Sequence, residues 1–212
     1  VGGTAGTPPP ELAFDPSASV DAPFTNTFTD NPVWRARIGL IYVNGLVLTN
    51  SAYTTNLAGE IVFTPSASPL LQSSGVKNIV FIAPGFGTAR VTQPLAAGVA
   101  THLDIITRVK APAASGGTLV ANPVLGILDQ YNNGTTNPYV GASVTATVGG
   151  GAWTLGGDTD QEFVEGIATF TNLTATANDS AGSVSNYITF EITGYTPLAA
   201  TNSGSFNIGA AP

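Results

Sequence analysis

The sequence predicts an all-β chain: two tandem β-sandwich domains behind a flexible N-terminal arm. Three observations carry this prediction. Charged residues make up 9% of the 212 positions, against about 25% in ordinary soluble domains. Threonine occurs 28 times, and Gly and Pro together fill 40 positions. Thr suits a pleated, half-buried surface, whereas Gly and Pro punctuate turns. Sparse Lys and Glu leave little material for helices. Finally, short apolar and Thr-rich runs recur at sandwich spacing, and the run 166–177 changes phase midway. Ala168 and Phe170 fall on one face, then Leu173, Ala175 and Ala177 continue in the opposite phase. A strand cannot change phase without exposing its inner set. The chain must therefore bend near Asn172 and carry Phe170 and Leu173 into one core.

The elements follow in order. Residues 1–10 form a Gly/Pro arm with three consecutive prolines, expected to be disordered or polyproline-like when alone. Residues 22–30, with Phe24 and Phe28, read as a strand. In Asn31-Pro32-Val33-Trp34, Asn31 is placed to cap one helical turn with Pro32 at its first position. Residues 39–49 form a hairpin turning at Asn44-Gly45, the strongest short turn signal. Tyr53 and residues 60–63 give short strands. Residues 66–74 suggest a short helix with Leu70 and Leu71 inward. Residues 76–83 and 88–94 close the first domain through the turn Pro84-Gly85-Phe86-Gly87.

Short, small-sided residues near 95–100 mark the junction, giving an arm at 1–10 and domains at 11–97 and 98–212. Strands are expected at 103–109, 122–130, 142–148, 152–155 and 162–164, then in the phase-switched run, at 187–193 and at 203–208. Seven or eight strands at this spacing fit a sandwich of roughly 100 residues. Tyr187 stands where a corner tyrosine would sit.

Composition narrows function. The net charge of −7 is uneven: residues 1–98 carry four basic and five acidic groups, residues 99–212 two and eight. There is no basic patch for nucleic acid. No run approaches the ~20 apolar residues of a spanning helix. Without Cys there are no disulfides or thiolate metal sites. Val1-Gly2-Gly3-Thr4 reads as a mature N-terminus left by signal cleavage, so the expected location is secreted, extracellular or at the cell surface.

Candidate sites are few. Asp158, Asp160, Glu162 and Glu165 alternate on an extended loop and would suit calcium, a hard cation that takes several oxygens. A solvated acidic turn is the competing reading. His102 is the only histidine and so the only nitrogen ligand for haem. Its context reads as an ordinary strand end, and no haem binding is expected. Trp34 beside Arg35 and Arg37 would make an aromatic-cationic patch, but core packing by Trp34 is preferred. Lys77 is a candidate for an internal isopeptide bond with an Asn, with no spacing signal behind it. No Ser, His and Asp set activates a nucleophile, so no enzyme is expected.

Two resemblances add to this. Residues 96–209, through Leu95-Ala96-Ala97-Gly98, Ile127–Gly134 and Glu165–Leu173, resemble the bacterial Ig-like domains of surface proteins. That resemblance implies an Ig-like sandwich serving as spacer or binding module. Residues 20–94, through Phe28–Arg35, Val43-Asn44-Gly45, Leu70-Leu71 and Ala83-Pro84-Gly85-Phe86, are similar to the haemoglobin-interacting module of streptococcal haem-acquisition proteins. It implies a small β-rich fold.

The expected function is a secreted structural protein, a subunit of an extracellular filament, sheath or surface layer. The alternative is a binding module that captures a haem protein or glycan. Val1, Thr4, Ala5 and Thr7 of the arm are the side chains expected to reach a neighbouring subunit, since a strand edge can accept an extended segment.

Overall fold

The structure, a computed structural model, describes residues 6–135, 141–193 and 198–210. The chain is all-β and forms two compact units. The first runs to Val99 and takes in residues 131–133; the second comprises 100–130 and the residues from Gly134 on.

The first unit holds β1 (Leu12–Ala13), β2 (Phe24–Phe28), α1 (Pro32–Ala36), β3 (Leu40–Val43), β4 (Leu46–Val47), β5 (Tyr53–Thr54), β6 (Glu60–Phe63), β7 (Gly75–Ile82) and β8 (Ala89–Leu95). Two antiparallel sheets, ordered β1-β2-β6-β5 and β4-β3-β7-β8, face each other. Aromatic rings fill the space between them. Phe24 stacks on Phe63 with centroids 5.0 Å apart, and Trp34 meets Phe28 edge-on at 5.1 Å and Phe81 at 6.0 Å. Trp34 is 0% exposed. It is delivered there by α1: the Asn31 side chain accepts the Trp34 N–H at 3.0 Å, with Pro32 in the first turn. The hairpin turns at Asn44-Gly45 as expected, with φ of 49° and 84°, the pair of positive values that matches strand twist. The helix expected over 66–74 is instead two 3-10 turns, Pro65–Ala67 and Pro69–Leu71. Pro69 has no N–H to continue a helix, and the Ser68 hydroxyl restarts the chain by accepting the Leu70 N–H at 3.4 Å.

The second unit holds β9 (Ala100–Thr107), β10 (Val124–Asp129), β11 (Ser143–Gly149), β12 (Trp153–Gly156), β13 (Asp160–Glu162), β14 (Ile167–Thr169), β15 (Thr174–Ala177), β16 (Ser183–Thr193), β17 (Thr201–Asn202) and β18 (Phe206–Ile208). One sheet is β14-β10-β9; another is β13-β11-β16-β17 with β18 also on β16; β12 and β15 pair separately. The phase-switched run behaves as its pattern requires. β14 pairs with β10, the chain bends through 170–173, and β15 then pairs with β12. Phe170 and Leu173 are 2% and 0% exposed, and Phe170 lies 5.7 Å from Phe190. The bend is pinned by Asn122, whose Oδ1 accepts the Leu173 N–H at 2.9 Å while its Nδ2 donates to the Thr171 carbonyl at 3.1 Å. The Tyr187 ring packs on Gly149 and Gly150.

Candidate functional site

The feature that stands out lies on the first unit. Along β7 and β8 exposure alternates: Lys77, Ile79 and Phe81 are buried, as are Val91, Gln93 and Leu95. The opposite face of this sheet is largely apolar too. In register, Tyr42 lies beside Val47 on one side and Val80 on the other, and Val80 lies beside Arg90. Leu40 pairs with Ile82, Val76 with Pro94, and the uncharged polar pair Asn78 and Thr92 lies between. Leu40, Val47 and Val76 are 42%, 52% and 57% exposed. Arg90 is the single charged residue on this outward face, and β3, β4, β7 and β8 contain no Asp or Glu. Sheets buried on one side only usually alternate apolar-in and polar-out. Apolar residues on both faces are the pattern usually seen in sheets covered on both sides.

Sequence reasoning did not single out that face. The signal was nonetheless present: Leu40-Ile41-Tyr42-Val43 and Ile79-Val80-Phe81-Ile82 are unbroken apolar runs, the pattern of strands buried on both sides.

The four carboxylates expected to hold calcium are not gathered into one set. Asp158 pairs with Asn172, its backbone N–H on Asn172 Oδ1 at 2.9 Å and its Oδ2 accepting Asn172 Nδ2 at 2.7 Å. Asp160 accepts from the Thr145 hydroxyl. Asp160 and Glu162 lie on β13, which pairs with β11, whereas Glu165, at φ 50°, is in the tight turn before β14. Among the described residues no group of three or more His, Asp or Glu side chains is placed to hold a metal ion. The alternation in sequence became strand pairing at Asp160 and Glu162 and a turn at Glu165.

His102 sits on β9 opposite Leu128, its Nδ1 2.9 Å from the Thr101 hydroxyl. Arg35 is paired with Asp30 at 2.9 Å and donates to the Thr55 carbonyl at 2.9 Å. With Trp34 buried, the aromatic-cationic patch does not form. The hydrogen bond from Arg35 holds the Asp30 carboxyl below the usual carboxylate range. Lys77 is buried, its Nζ donates to Ser73 Oγ at 2.6 Å, and desolvation pushes its pKa down.

Val1, Thr4 and Ala5 of the arm lie outside the described residues. Thr7 is engaged within its own unit. Its N–H donates to the Gly85 carbonyl at 3.0 Å, and its carbonyl accepts the Gly87 N–H at 2.9 Å. Gly6 permits the approach, since a Cβ there would lie 2.8 Å from the Phe86 carbonyl carbon. The side chains of the arm are too small to advertise this docking; the partners are main-chain groups of the 84–87 turn.

Of two further grooves, one of about 670 Å³ runs along Leu12–Phe14 and Thr27–Thr29, wide open to solvent. The other, about 190 Å³, lies in the second unit between Asp104, Arg108 and residues 201–204. Neither gathers the base, nucleophile and oxyanion donors that catalysis requires. Among the described residues no helix is long and apolar enough to cross a membrane.

The first unit is a small β-rich body with a partly exposed apolar sheet, and it matches a known family model. Residues 12–96 match the family described as "Heme-binding protein Shr-like, Hb-interacting domain", enclosing the 20–94 stretch whose motifs carry the resemblance. No curated protein matches the chain. Among solved structures, the chain is similar to a β-glycosidase from Bacteroides vulgatus, at 11% identity and TM-score 0.40, over 95% of this chain and 25% of that one. It is similar to domains 4–9 of the surface layer protein SbsC, at 13% identity and TM-score 0.36, over 98% and 31%. It is also similar to the D00-D0 domain of intimin, at 10% identity and TM-score 0.39, over 96% and 94%. The chain thus spans about a quarter of the glycosidase it matches.

Proposed function

We propose that this chain is an extracellular, surface-associated protein that works by protein–protein contact rather than catalysis, as a subunit of a filament, sheath or surface layer. The observation that carries the reading is the outward apolar face of β4-β3-β7-β8, which lacks carboxylates in a chain of net charge −7. Such a face costs solubility unless a protein covers it. Electron microscopy and sedimentation of the native chain test this: regular polymers support it, and a chain that stays monomeric at all concentrations rejects it.

A second reading is capture of a haem protein, favoured by the family match over residues 12–96. The chain would then bind haemoglobin as a protein surface, with no haem ligation by His102. Immobilised chain titrated with haemoglobin tests this. Saturable binding supports it, and transfer of one haem per chain would contradict the part assigned to His102.

A further inference from the structure

Resting on the assembly reading, we propose that the outward face of β4-β3-β7-β8 pairs with the same face of a second copy about a twofold axis running along β7. The basis is its spacing. Tyr42, Val80 and Arg90 occupy one cross-strand row on three adjacent strands, so they are spaced evenly at roughly 4.8 Å. A twofold axis along the middle strand, lying between two such faces, sets Val80 over Val80 of the second copy. It lays Tyr42 over the second copy's Arg90, and Arg90 over its Tyr42. A guanidinium over an aromatic face is a favourable pairing. On the same axis Ile82 meets Ile82, Asn78 meets Asn78, and Val76 meets Val76.

The Tyr42–Val80–Arg90 row argues for a second copy as the occupant, and charge opposes it least at this face. Copies of a chain with net charge −7 repel. Repulsion is least through a face whose single charge is Arg90, and the five carboxylates of residues 1–98 (Glu11, Asp15, Asp21, Asp30, Glu60) all lie off this sheet. Isologous twofold contacts are also the commonest symmetric kind.

Area sets the strength. β4 has no strand opposite it on this axis, so the paired strands β3, β7 and β8 contain 19 residues, a footprint of roughly 300 Å² at ~3.3 Å by ~4.8 Å per residue. A stable interface uses about 800 Å² per partner. The pair is therefore weak alone and depends on high local concentration, as in an array.

The test is sedimentation velocity of the full chain from about 10 μM to about 1 mM, the range where a contact of this size self-associates. The expected result is a concentration-dependent rise towards the dimer. Val80→Glu places two carboxylates on the axis and returns the chain to monomer, with unchanged far-UV circular dichroism and melting. Tyr42→Ala and Arg90→Ala each weaken association about tenfold, and together no more than either alone. The exchanged variant, Tyr42→Arg with Arg90→Tyr, recovers most of the loss, which a merely misfolded face would not. Oligomers unaffected by Val80→Glu overturn the face pairing and leave the assembly reading standing. A chain monomeric at about 1 mM overturns both. A monomeric chain whose haemoglobin binding is lost in Val80→Glu gives the face to the second reading and overturns self-pairing.

Discussion

Asn122→Ala tests what holds the sheet switch. The Asn122 amide spans the bend, accepting from Leu173 N–H at 2.9 Å and donating to the Thr171 carbonyl at 3.1 Å. Each such bond contributes about 0.5–1.5 kcal/mol net, so removing both costs about 1–3 kcal/mol. The side chain is small and half-buried, so the cavity contribution is minor. Asn122→Asp keeps the acceptor for Leu173 and loses only the donor, so about half that loss is expected. Urea unfolding is the assay. With a slope of about 1–3 kcal/mol/M, the Ala variant shifts the midpoint down by roughly 1 M at an unchanged slope. Thr171→Ala, an exposed change in the same bend, serves as control and should fall within about 0.5 kcal/mol of wild type. If Asn122→Ala costs no more than this control, or Asp costs as much as Ala, the amide does not pin the bend. The switch would then be held by burial of Phe170 and Leu173 alone.

Other outcomes follow from the same geometry. Phe170→Ala costs about 3–5 kcal/mol, read in the same unfolding assay, because a buried ring against Phe190 is replaced by a cavity. Burial lowers the Lys77 pKa, so the unfolded chain binds more protons between the folded and unfolded values, and stability rises with pH across that window. Lys77→Met should remove that alkaline rise and raise the melting temperature at neutral pH; an unchanged pH profile would show that Lys77 is not desolvated. Thr7→Pro deletes the N–H that meets Gly85 and should cost about 1 kcal/mol in urea unfolding. Since Asp158, Asp160, Glu162 and Glu165 do not converge, melting should be the same in chelator and in millimolar calcium. A rise in melting temperature with calcium would reveal a site.

Much of the fold is legible in the sequence because it is local. The Asn31-Pro32 cap, the Asn44-Gly45 turn and the phase change at Asn172 are short-range patterns, and each fixes its own backbone. The phase change even specifies which side chains enter the core, since alternation leaves one solution for Phe170 and Leu173. The helix at 66–74 fails because two prolines outweigh a short apolar pattern. How the four carboxylates are placed was not legible, because proximity in sequence says nothing about partners from other strands. Asn172 and Thr145 take up Asp158 and Asp160.

The sequence by itself determined the class, the main turns and the inner set of the alternating run 166–177, because hydrophobic alternation and turn chemistry act within a few residues. Only the tertiary structure decided what lies opposite what. It put Asn122 across a bend 51 positions away in the chain and tied Thr7 to the 84–87 turn. It also left Leu40, Val47 and Val76 exposed on the outward side of β4-β3-β7-β8, with Tyr42, Val80 and Ile82 half-buried between them. Pairing between distant strands is set by which edges and faces remain once local structure has formed, and a linear pattern carries no record of that.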